Sequence, residues 1–351
     1  MKLFIDTERL RDLHSGLGQF CQHLGEEIIR QRPADARITF LVPKTRIGFF
    51  GPEAGYKPAS WRWRFLDWSL GEYDLWHCTH QDSVYLPPQS RRTKLILTIH
   101  DLNFLERTDY SEAKKARKLS ALQRKVDRAA AITTISEYTA SVVREHLTIP
   151  DIPLRVIYNG VPAHEKPVDV SATDEVPTEP YFLFLGVIHP KKNLHTLLPL
   201  LEAFPDWRLV LAGPDTHPYA HHLREQARNL GIADRLTISG AVDESIKAAL
   251  YERCGAFLFP SLSEGFGLPV VEAMQFGKPV FLSRLTSLPE IGGNVAYYFN
   301  SFEPEDMAET VFNGLSDYAA NPFRADRLRQ RATQFSWEKA AAAYWELYQS
   351  L

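Results

Sequence analysis

The stretch Pro260-Ser-Leu-Ser-Glu264-Gly-Phe-Gly-Leu-Pro269-Val-Val-Glu272-Ala-Met-Gln-Phe-Gly277-Lys-Pro-Val280 decides the fold predicted for the second half of the chain. An apolar run over 255–260 predicts a strand that leads into a loop containing glycine. Pro269 suits the first position of a helix, because the amide that proline lacks would have no partner within the helix there. Gly277, followed by a proline, predicts the end of this short apolar helix. The stretch should therefore form a strand, a loop and a helix in turn.

The loop between this strand and this helix is a candidate anion site. Backbone amides at the start of a helix lack partners within the helix, and they attract negative charge. Glu264 stands on the loop side of these amides, and Glu272 stands on the first turn of the predicted helix. Two carboxylates beside an anion site suit a ligand with phosphate in its middle and hydroxyl-rich groups at both ends, such as a nucleotide sugar. The candidate amides belong to Gly265, Phe266, Gly267 and Leu268.

The string Glu264-Gly-Phe-Gly-Leu-Pro269, followed by Glu272-Ala-Met, resembles the signature of glycosyltransferase family 4. Members of that family are retaining enzymes of the GT-B fold, an α/β architecture of two Rossmann-like, doubly wound domains that face each other across a cleft. The resemblance implies that Glu264 meets the donor sugar and that Glu272 takes the ribose hydroxyls. It also implies that the loop amides meet the sugar and the diphosphate. An acidic helix start favoured by the helix dipole would explain Glu272 alone, but not the whole string.

Composition excludes several other classes of protein. The chain of 351 residues is long enough for two domains, and its 44% hydrophobic and 24% charged residues are ordinary for a globular protein. A net charge of −3 argues against a nucleic-acid binder. Three widely spaced cysteines indicate free thiols in a reducing compartment rather than a disulfide framework or a metal site. With no apolar run of about 20 residues and no signal-peptide pattern, we expect a cytoplasmic chain, with peripheral contact at the inner face of the membrane left open.

The first strand, 2–6, is followed by a polar loop that carries Gly16 and Gly18. A glycine-bearing turn between a strand and a helix can let a phosphate approach the backbone. A plain tight turn would explain the two glycines equally well. In the family that the chain resembles, this loop faces the donor diphosphate, which makes both glycines candidate donor-binding residues.

His100 follows a predicted buried strand, 94–99, and His80 follows another one, 74–78. Ligands of open α/β sheets bind beyond the carboxyl ends of the strands, so His100 lies where chemistry is expected. A strand followed by His-Asp-Leu is also the pattern of the family, which implies that His100 reaches the donor sugar near the reacting centre. A structural role is the better interpretation of His80.

Two further segments of the first half leave alternatives open. The aromatic residues of 48–68 either form a surface that reads a sugar or a partner, or cover the edge of the first domain. Residues 111–130 predict a basic helix that could lie against anionic lipid, although a solvated helix face is the better interpretation. The basic residues of this helix are Lys114, Lys115, Arg117, Lys118, Arg124, Lys125 and Arg128.

The second half opens with a predicted strand, 181–185, that ends in Gly186. Lys191 and Lys192 follow just before a predicted helix, 194–204, where their charge could neutralise a diphosphate leaving group. The pattern resembles the Gly…Pro-Arg-Lys-Asn of the family, with Lys191 where arginine is common. Many members also carry arginine directly after the glycine, where this chain has Val187. Of the two lysines, Lys192 is the preferred candidate for binding the diphosphate.

Later strands end at Gly213 and just before Val242, and the resemblance implies that both loops border the nucleotide base. Strands that alternate with helices are what a parallel sheet with crossovers requires. We therefore predict an acceptor domain over 1–163, completed by a C-terminal helix over 336–351 that crosses back onto it. A linker over 164–180 and a nucleotide-sugar donor domain over 181–335 complete the organisation.

The expected function is metal-independent hexosyl transfer without a cofactor, from a nucleotide sugar to a saccharide or lipid-linked acceptor. The family resemblance extends to bacterial mannosyltransferases of polysaccharide assembly, which makes GDP-mannose the preferred donor and UDP-glucose the main alternative. A GT-B epimerase or phosphorylase and a non-catalytic partner subunit are the competing hypotheses. The family signature disfavours the first, and the presence of Glu264, Lys192 and His100 disfavours the second.

Overall fold

A computed structural model describes residues 1–13, 15–60, 73–88, 92–162 and 176–351 of the chain. The chain divides into two compact units. Unit 1 consists of Met1–Pro162 together with Ser336–Leu351, and unit 2 consists of Ala163–Phe335. Most of the predicted linker over 164–180 lies outside the described residues.

Unit 1 contains a sheet of seven parallel strands in the order β3-β2-β1-β4-β5-β6-β7. Its central strands are apolar and almost fully buried, as expected of a parallel sheet covered on both faces. The strands are β1 (Lys2–Asp6), β2 (Arg37–Val42), β3 (Gly55–Pro58), β4 (Leu75–Cys78), β5 (Lys94–Ile99), β6 (Ala129–Thr134) and β7 (Leu154–Val156). The helices of its first 162 residues are α1 (Gly16–Arg30), α2 (Glu112–Val126) and α3 (Glu137–His146).

Two predictions for unit 1 are wrong in their boundaries. The polar loop predicted around Gly16 and Gly18 is the first turn of α1, because the Ser15 hydroxyl accepts a hydrogen bond from the Gly18 amide and caps the helix. The basic helix predicted to run to residue 130 ends at Val126. The alanines that follow it belong to β6, where Ala129 pairs with Leu95, so sheet pairing overrides the helix preference of alanine.

The sequence also left β3 unpredicted, because Gly55–Pro58 has no alternation of apolar and polar residues and lies at the edge of the sheet. Of the aromatic segment 48–68, Phe50 is buried against Phe40, with ring centroids 4.1 Å apart. This contact supports the edge-covering interpretation for Phe50. Trp61, Trp63, Phe65 and Trp68 lie outside the described residues.

Unit 2 contains a sheet of six parallel strands in the order β10-β9-β8-β11-β12-β13. The strands are β8 (Tyr181–Leu185), β9 (Arg208–Ala212), β10 (Leu236–Gly240), β11 (Ala256–Phe259), β12 (Val280–Leu282) and β13 (Tyr297–Tyr298). The helices are α4 (Leu200–Ala203), α5 (Tyr219–Asn229), α6 (Glu244–Arg253), α7 (Leu268–Gln275), α8 (Leu288–Gly292), α9 (Pro304–Ala320) and α10 (Arg324–Ala332). The rings of Phe184 and Phe259 stack at 5.4 Å in the core between β8 and β11.

The helix predicted over 194–204 is two short pieces instead of one. A 3₁₀ turn covers Leu194–Leu197, and α4 begins only at Leu200. Pro199 lies between them, and it has no amide to bond the carbonyl four residues earlier. A continuous helix is therefore interrupted at this proline.

The last helix of the chain, α11 (Trp337–Ser350), belongs to unit 1. The Trp345 indole donates a hydrogen bond to the carbonyl oxygen of Ile28 in α1, at 3.2 Å. The Tyr348 hydroxyl lies 2.7 Å from Nδ1 of His77, whose Nε2 lies 2.7 Å from Oγ1 of Thr98. These groups are fully buried, so α11 is fixed to the sheet by a polar network as well as by apolar packing.

We predict that Tyr348→Phe lowers the free energy of unfolding by about 1–3 kcal/mol, because Nδ1 of the buried His77 loses its partner while the ring is retained. Urea denaturation followed by circular dichroism measures the change. Tyr110→Phe is the control, since it removes the hydroxyl of a half-buried ring that packs against Lys114, and it should change stability by less than about 0.5 kcal/mol. Equal stability of the two variants would contradict the role of the network.

Candidate active site

The loop after β11 leads into α7 at the place that the sequence predicts. Gly267 precedes the helix with φ = 105°, a conformation that side chains of L-amino acids rarely adopt. A Cβ at this position would lie 2.9 Å from Cδ2 of Leu288, so only glycine fits without a shift. Leu268 is the first helical residue and Pro269 the second, still within the turn where a missing amide costs nothing.

Glu264, on this loop, forms an ion pair with Lys192 through its Oε1 atom. The same oxygen accepts a hydrogen bond of 2.6 Å from the Ser261 hydroxyl. The Ser287 hydroxyl lies 3.0 Å from the Glu264 carbonyl oxygen and 2.9 Å from that of Phe266, which ties the loop to the start of α8. Contacts to both the side chain and the backbone of Glu264 thus hold its carboxylate in place.

Thr286 forms a hydrogen bond with the same loop, and its own backbone has an unfavourable conformation. Its φ is 56°, which is rare for a β-branched residue because the side chain crowds the backbone there. The Thr286 hydroxyl accepts a hydrogen bond of 3.1 Å from the Glu264 amide. Residues held in such conformations cluster at functional sites, so the strain points to this loop.

Lys192 ends a short 3₁₀ turn, Pro190–Lys192, after β8 and is only 8% exposed. Burial lowers the pKa of Lys192 below its ordinary value, and the Glu264 carboxylate opposes that shift only in part. Lys191, by contrast, is exposed, although its carbonyl accepts a hydrogen bond of 2.8 Å from the Leu262 amide. The structure therefore places the side chain of Lys192, rather than that of Lys191, against the loop that carries Glu264.

Glu272 lies on the second turn of α7, not on the first turn as predicted, because the helix already begins at Leu268. Its Oε1 lies 3.1 Å from Nζ of Lys247, and its Oε2 lies 2.8 Å from the Tyr251 hydroxyl. Neither partner was predicted from the sequence. Their spacing of four residues places them on one face of α6, but no signal in the sequence connects that face with Glu272.

Three predicted loop positions lie at the carboxyl ends of neighbouring strands. Gly186 and Gly213 follow β8 and β9, with φ of 145° and 135°. A Cβ on Gly213 would lie 2.1 Å from the Gly186 carbonyl oxygen, so the two loops approach closely. Val242 is half-buried and directly precedes Asp243, the residue that caps α6. These loops follow β8, β9 and β10, which are adjacent in the sheet beside β11, so their residues belong to the same edge of unit 2 as Glu264.

In unit 1, His100 follows β5 and is 7% exposed. Its Nε2 lies 2.8 Å from the Thr79 carbonyl oxygen, and its ring packs edge-on against Phe20 at 4.6 Å. Burial lowers the pKa of His100 to about 4, so the ring is neutral near pH 7. With a carbonyl as partner, Nε2 carries the proton, which leaves Nδ1 as the acceptor of the ring.

His80 has the structural character that its sequence context predicts. It is 2% exposed, and its Nε2 accepts a hydrogen bond of 3.2 Å from Nε of Arg9. Burial lowers the pKa of His80 to about 2. This histidine is therefore a neutral support for Arg9 across physiological pH.

The two glycines at the start of α1 differ in whether the surrounding structure leaves room for a side chain. A Cβ on Gly18 would lie 1.9 Å from the Asp12 carbonyl oxygen, so close backbone packing accounts for Gly18. A Cβ on Gly16 would meet no atom of the described residues within 4 Å. Packing within unit 1 therefore explains Gly18 but not Gly16.

Several basic side chains of α2 have partners within unit 1. Lys125 points inward and donates hydrogen bonds of 2.5 Å and 2.8 Å to the carbonyl oxygens of Gln81 and Ser83. Nζ of Lys115 lies 2.9 Å from the Glu112 carboxylate. The helix is thus less cationic at its surface than its sequence indicates. Lys114 and Lys118 pack over the rings of Tyr110 and Phe104, and Arg117 and Arg124 are exposed.

The described residues contain neither a cluster of metal ligands nor a helix that could span a membrane. Within them, no three His, Cys, Asp or Glu side chains converge in a way that could hold a metal ion. None of the helices in the same part of the chain is both long and apolar enough to cross a bilayer. The three cysteines are buried and free.

Comparison with known proteins follows the division into two units. The model for "Glycosyltransferase Family 4" matches residues 21–165, and the model for "Glycosyl transferases group 1" matches residues 166–335. Among solved structures, sucrose-phosphate synthase from Thermosynechococcus elongatus superposes with a TM-score of 0.79 at 20% sequence identity. The superposition covers 100% of this chain and 98% of that one, and it shows the GT-B fold.

Curated relatives include several mannosyltransferases. The O-antigen chain mannosyltransferase B of Escherichia coli is 25% identical in sequence, and the match covers 81% of this chain and 77% of the length of that protein. The serotype-specific mannosyltransferase WbdA of Escherichia coli is 30% identical over 75% of this chain, which spans only 34% of the length of WbdA. A GDP-mannose:cellobiosyl-diphosphopolyprenol alpha-mannosyltransferase of Komagataeibacter xylinus is 36% identical over 46% of this chain and 42% of its own.

The two family models together span residues 21–335, and the fold of both units agrees with them. The chain therefore belongs to the family 4 and group 1 glycosyltransferases of the GT-B fold.

Proposed function

We propose that the chain transfers mannose from GDP-mannose to a saccharide or lipid-linked acceptor, with retention of configuration and without a metal ion or other cofactor. The observation that carries this proposal is the buried pair of Lys192 and Glu264 beside the start of α7, with Glu272 on the same helix. Lys192 offers one positive charge for a diphosphate, and the two glutamates offer acceptors for the hydroxyl-rich sugar and ribose that flank it.

Lys192 is the residue proposed to stabilise the departing diphosphate. Charge builds up on the leaving group in the transition state, and a fixed cation in a buried site acts on that charge strongly. Glu264 orients the donor sugar and stabilises the positive charge that develops at its anomeric carbon. Each of these two side chains compensates the charge of the other.

The remaining donor contacts follow from the same edge of unit 2. Glu272 accepts the ribose hydroxyls, while Lys191, exposed beside Lys192, adds positive charge for the diphosphate. The amides proposed to meet the sugar and the diphosphate belong to Gly265, Phe266, Gly267 and Leu268. The loops proposed to border the base contain Gly186, Gly213 and Val242.

Unit 1 is proposed to supply the acceptor site and part of the donor site. His100, neutral and held by Thr79, would accept a hydrogen bond from a hydroxyl of the donor sugar through Nδ1 without adding charge. Gly16 leaves open space at the start of α1 where a phosphate could approach the backbone, and Gly18 allows the tight packing of that turn. We propose that both glycines serve the donor site, Gly16 through its open backbone and Gly18 by allowing this turn to pack.

Retention is proposed to occur with the acceptor attacking on the face from which the diphosphate leaves. Glu264 is engaged with Lys192 and Ser261, which favours an orienting role over a nucleophilic one. Exclusion of water around the donor would make its hydrolysis slow compared with transfer to an acceptor.

The choice of mannose as the donor sugar and guanine as its base is the more specific part of this proposal. They are supported by the mannosyltransferases among the relatives, one of which is named for GDP-mannose. UDP-glucose is the alternative donor. Epimerisation is disfavoured because the relatives described above are transferases.

We also propose a cytoplasmic location, in which α2 is mainly a solvated helix face. The inward bonds of Lys125 and the pairing of Lys115 leave Arg117 and Arg124 as its exposed cations. Peripheral contact with anionic lipid would depend on these two arginines.

Donor binding is predicted to stabilise the folded protein. GDP-mannose at 100 times its dissociation constant should add about 2.7 kcal/mol and raise the melting temperature by a few degrees. Thermal unfolding with GDP-, UDP- and ADP-sugars measures this shift. A shift with UDP-sugars alone would overturn the choice of guanine, and a folded protein that responds to none would favour the non-catalytic alternative.

Lys192→Met is predicted to slow the hydrolysis of GDP-mannose by roughly 10²-fold or more, with a smaller loss of donor affinity, because the leaving-group charge peaks in the transition state. Release of GDP in the absence of acceptor measures the rate, and calorimetry measures the affinity. Lys278→Met, at a half-buried lysine after the end of α7, is the matched control and should leave both quantities unchanged. An unchanged hydrolysis rate at saturating donor in Lys192→Met would refute the role of the lysine.

Removal of divalent cations is predicted to have no effect on the hydrolysis of GDP-mannose, because the lysines and loop amides take the role that a metal ion plays in other transferases. The rate is compared before and after treatment with excess EDTA. Loss of activity that Mg²⁺ or Mn²⁺ restores would show that the reaction needs a metal ion.

A further inference from the structure

The carboxylate of Glu272 is held from outside its own helix. Lys247 and Tyr251 both lie on α6, and each of them contacts a different oxygen of the carboxylate, at 3.1 Å and 2.8 Å. Glu272 is 8% exposed and Tyr251 is fully buried. The arrangement therefore fixes the plane of the carboxylate and leaves a small part of it accessible.

The contacts to Lys247 and Tyr251 leave acceptor capacity on both oxygens of Glu272. A carboxylate has about four lone-pair positions, two on each oxygen. Nζ of Lys247 occupies one position on Oε1, and the hydroxyl of Tyr251 occupies one on Oε2. One position on each oxygen remains, which matches two adjacent hydroxyl groups that donate one hydrogen bond each. The 2′ and 3′ hydroxyls of a ribose are such a pair.

Both partners keep their protons, and so they remain donors toward Glu272. Burial by itself lowers the pKa of Lys247, but Glu272 and Glu244 outweigh burial and raise it overall. Burial, followed by the charge of Glu272, raises the pKa of Tyr251 well above its ordinary value. The carboxylate thus faces one cation and one neutral hydroxyl across the physiological pH range.

The helix that carries these two residues is well anchored. Asp243 caps α6 by accepting a hydrogen bond of 2.8 Å from the Ile246 amide. The Tyr251 ring stacks on Phe276 at 5.5 Å, so its hydroxyl has little freedom to move. A spacing of four residues places Lys247 and Tyr251 on the same face of the helix.

We propose that Lys247 and Tyr251 are positioning residues for the nucleotide, which hold the Glu272 carboxylate so that its free lone pairs meet the 2′ and 3′ hydroxyls of the ribose. This inference rests on the proposed function, in which Glu272 is the ribose acceptor. It adds a means by which the site distinguishes a ribonucleotide from a deoxyribonucleotide.

The test compares the binding of GDP and 2′-deoxy-GDP to the full chain by calorimetry. Wild-type protein should prefer GDP by about tenfold or more, because a hydrogen bond to a charged group is lost in the deoxy compound. In Lys247→Met and in Tyr251→Phe this preference should fall to about threefold or less, because the carboxylate is free to turn. Lys247→Arg should restore most of the preference, since it keeps a cationic donor.

Glu244→Gln is the matched control, because Glu244 also pairs with Lys247, at 2.9 Å, but is 78% exposed and does not contact Glu272. Its preference for GDP should stay within about twofold of the wild-type value, as expected for an exposed pair. An undiminished preference in Tyr251→Phe or in Lys247→Met that still bind GDP would overturn the inference alone. Wild-type protein that binds neither GDP nor UDP would overturn the proposed function itself; if it binds only UDP, the UDP and 2′-deoxy-UDP pair is measured instead.

Discussion

The buried ion pair of Lys192 and Glu264 is the interaction on which the proposed site depends. Removing an ammonium and a carboxylate from water costs several kcal/mol for each ion, and their mutual attraction often does no more than offset this cost. Apolar residues of similar size would serve stability as well or better. The pair is therefore better explained by what each charge does for a ligand than by what it does for the fold.

The surroundings of the pair are built to keep it in place. The Ser261 hydroxyl donates a hydrogen bond to the Glu264 side chain, and the Thr286 hydroxyl accepts one from the Glu264 amide. The Ser287 hydroxyl donates one to the Glu264 carbonyl oxygen. Thr286 does so from a backbone conformation that is unfavourable for a β-branched residue. A carboxylate held in this way needs little reorganisation when a donor arrives, which is how preorganised sites lower the barrier to reaction.

Much of the fold could be predicted from the sequence, because apolar runs that end in glycine or polar residues mark buried parallel strands. The loop and helix of 260–277 were predicted from their glycines and prolines and from the short apolar run between Pro269 and Gly277. Pairing between segments that are distant in the sequence could not be predicted. Ala129, for example, becomes part of a strand only because Leu95 lies beside it in the sheet. Lys247 and Glu272 are 25 residues apart on different helices, so no local pattern shows that their side chains meet. The start of α1 was missed because the capping hydroxyl of Ser15 was read as part of a polar loop.

The most direct test of the central claim is a crystal structure of the protein with GDP-mannose or an inert analogue of it. We expect a diphosphate oxygen to lie about 3 Å from Nζ of Lys192 and a sugar hydroxyl to lie at a similar distance from the Glu264 carboxylate. The two side chains would then have exchanged part of their mutual pairing for the donor. A nucleotide bound elsewhere, with the pair of Lys192 and Glu264 unchanged, would contradict the claim.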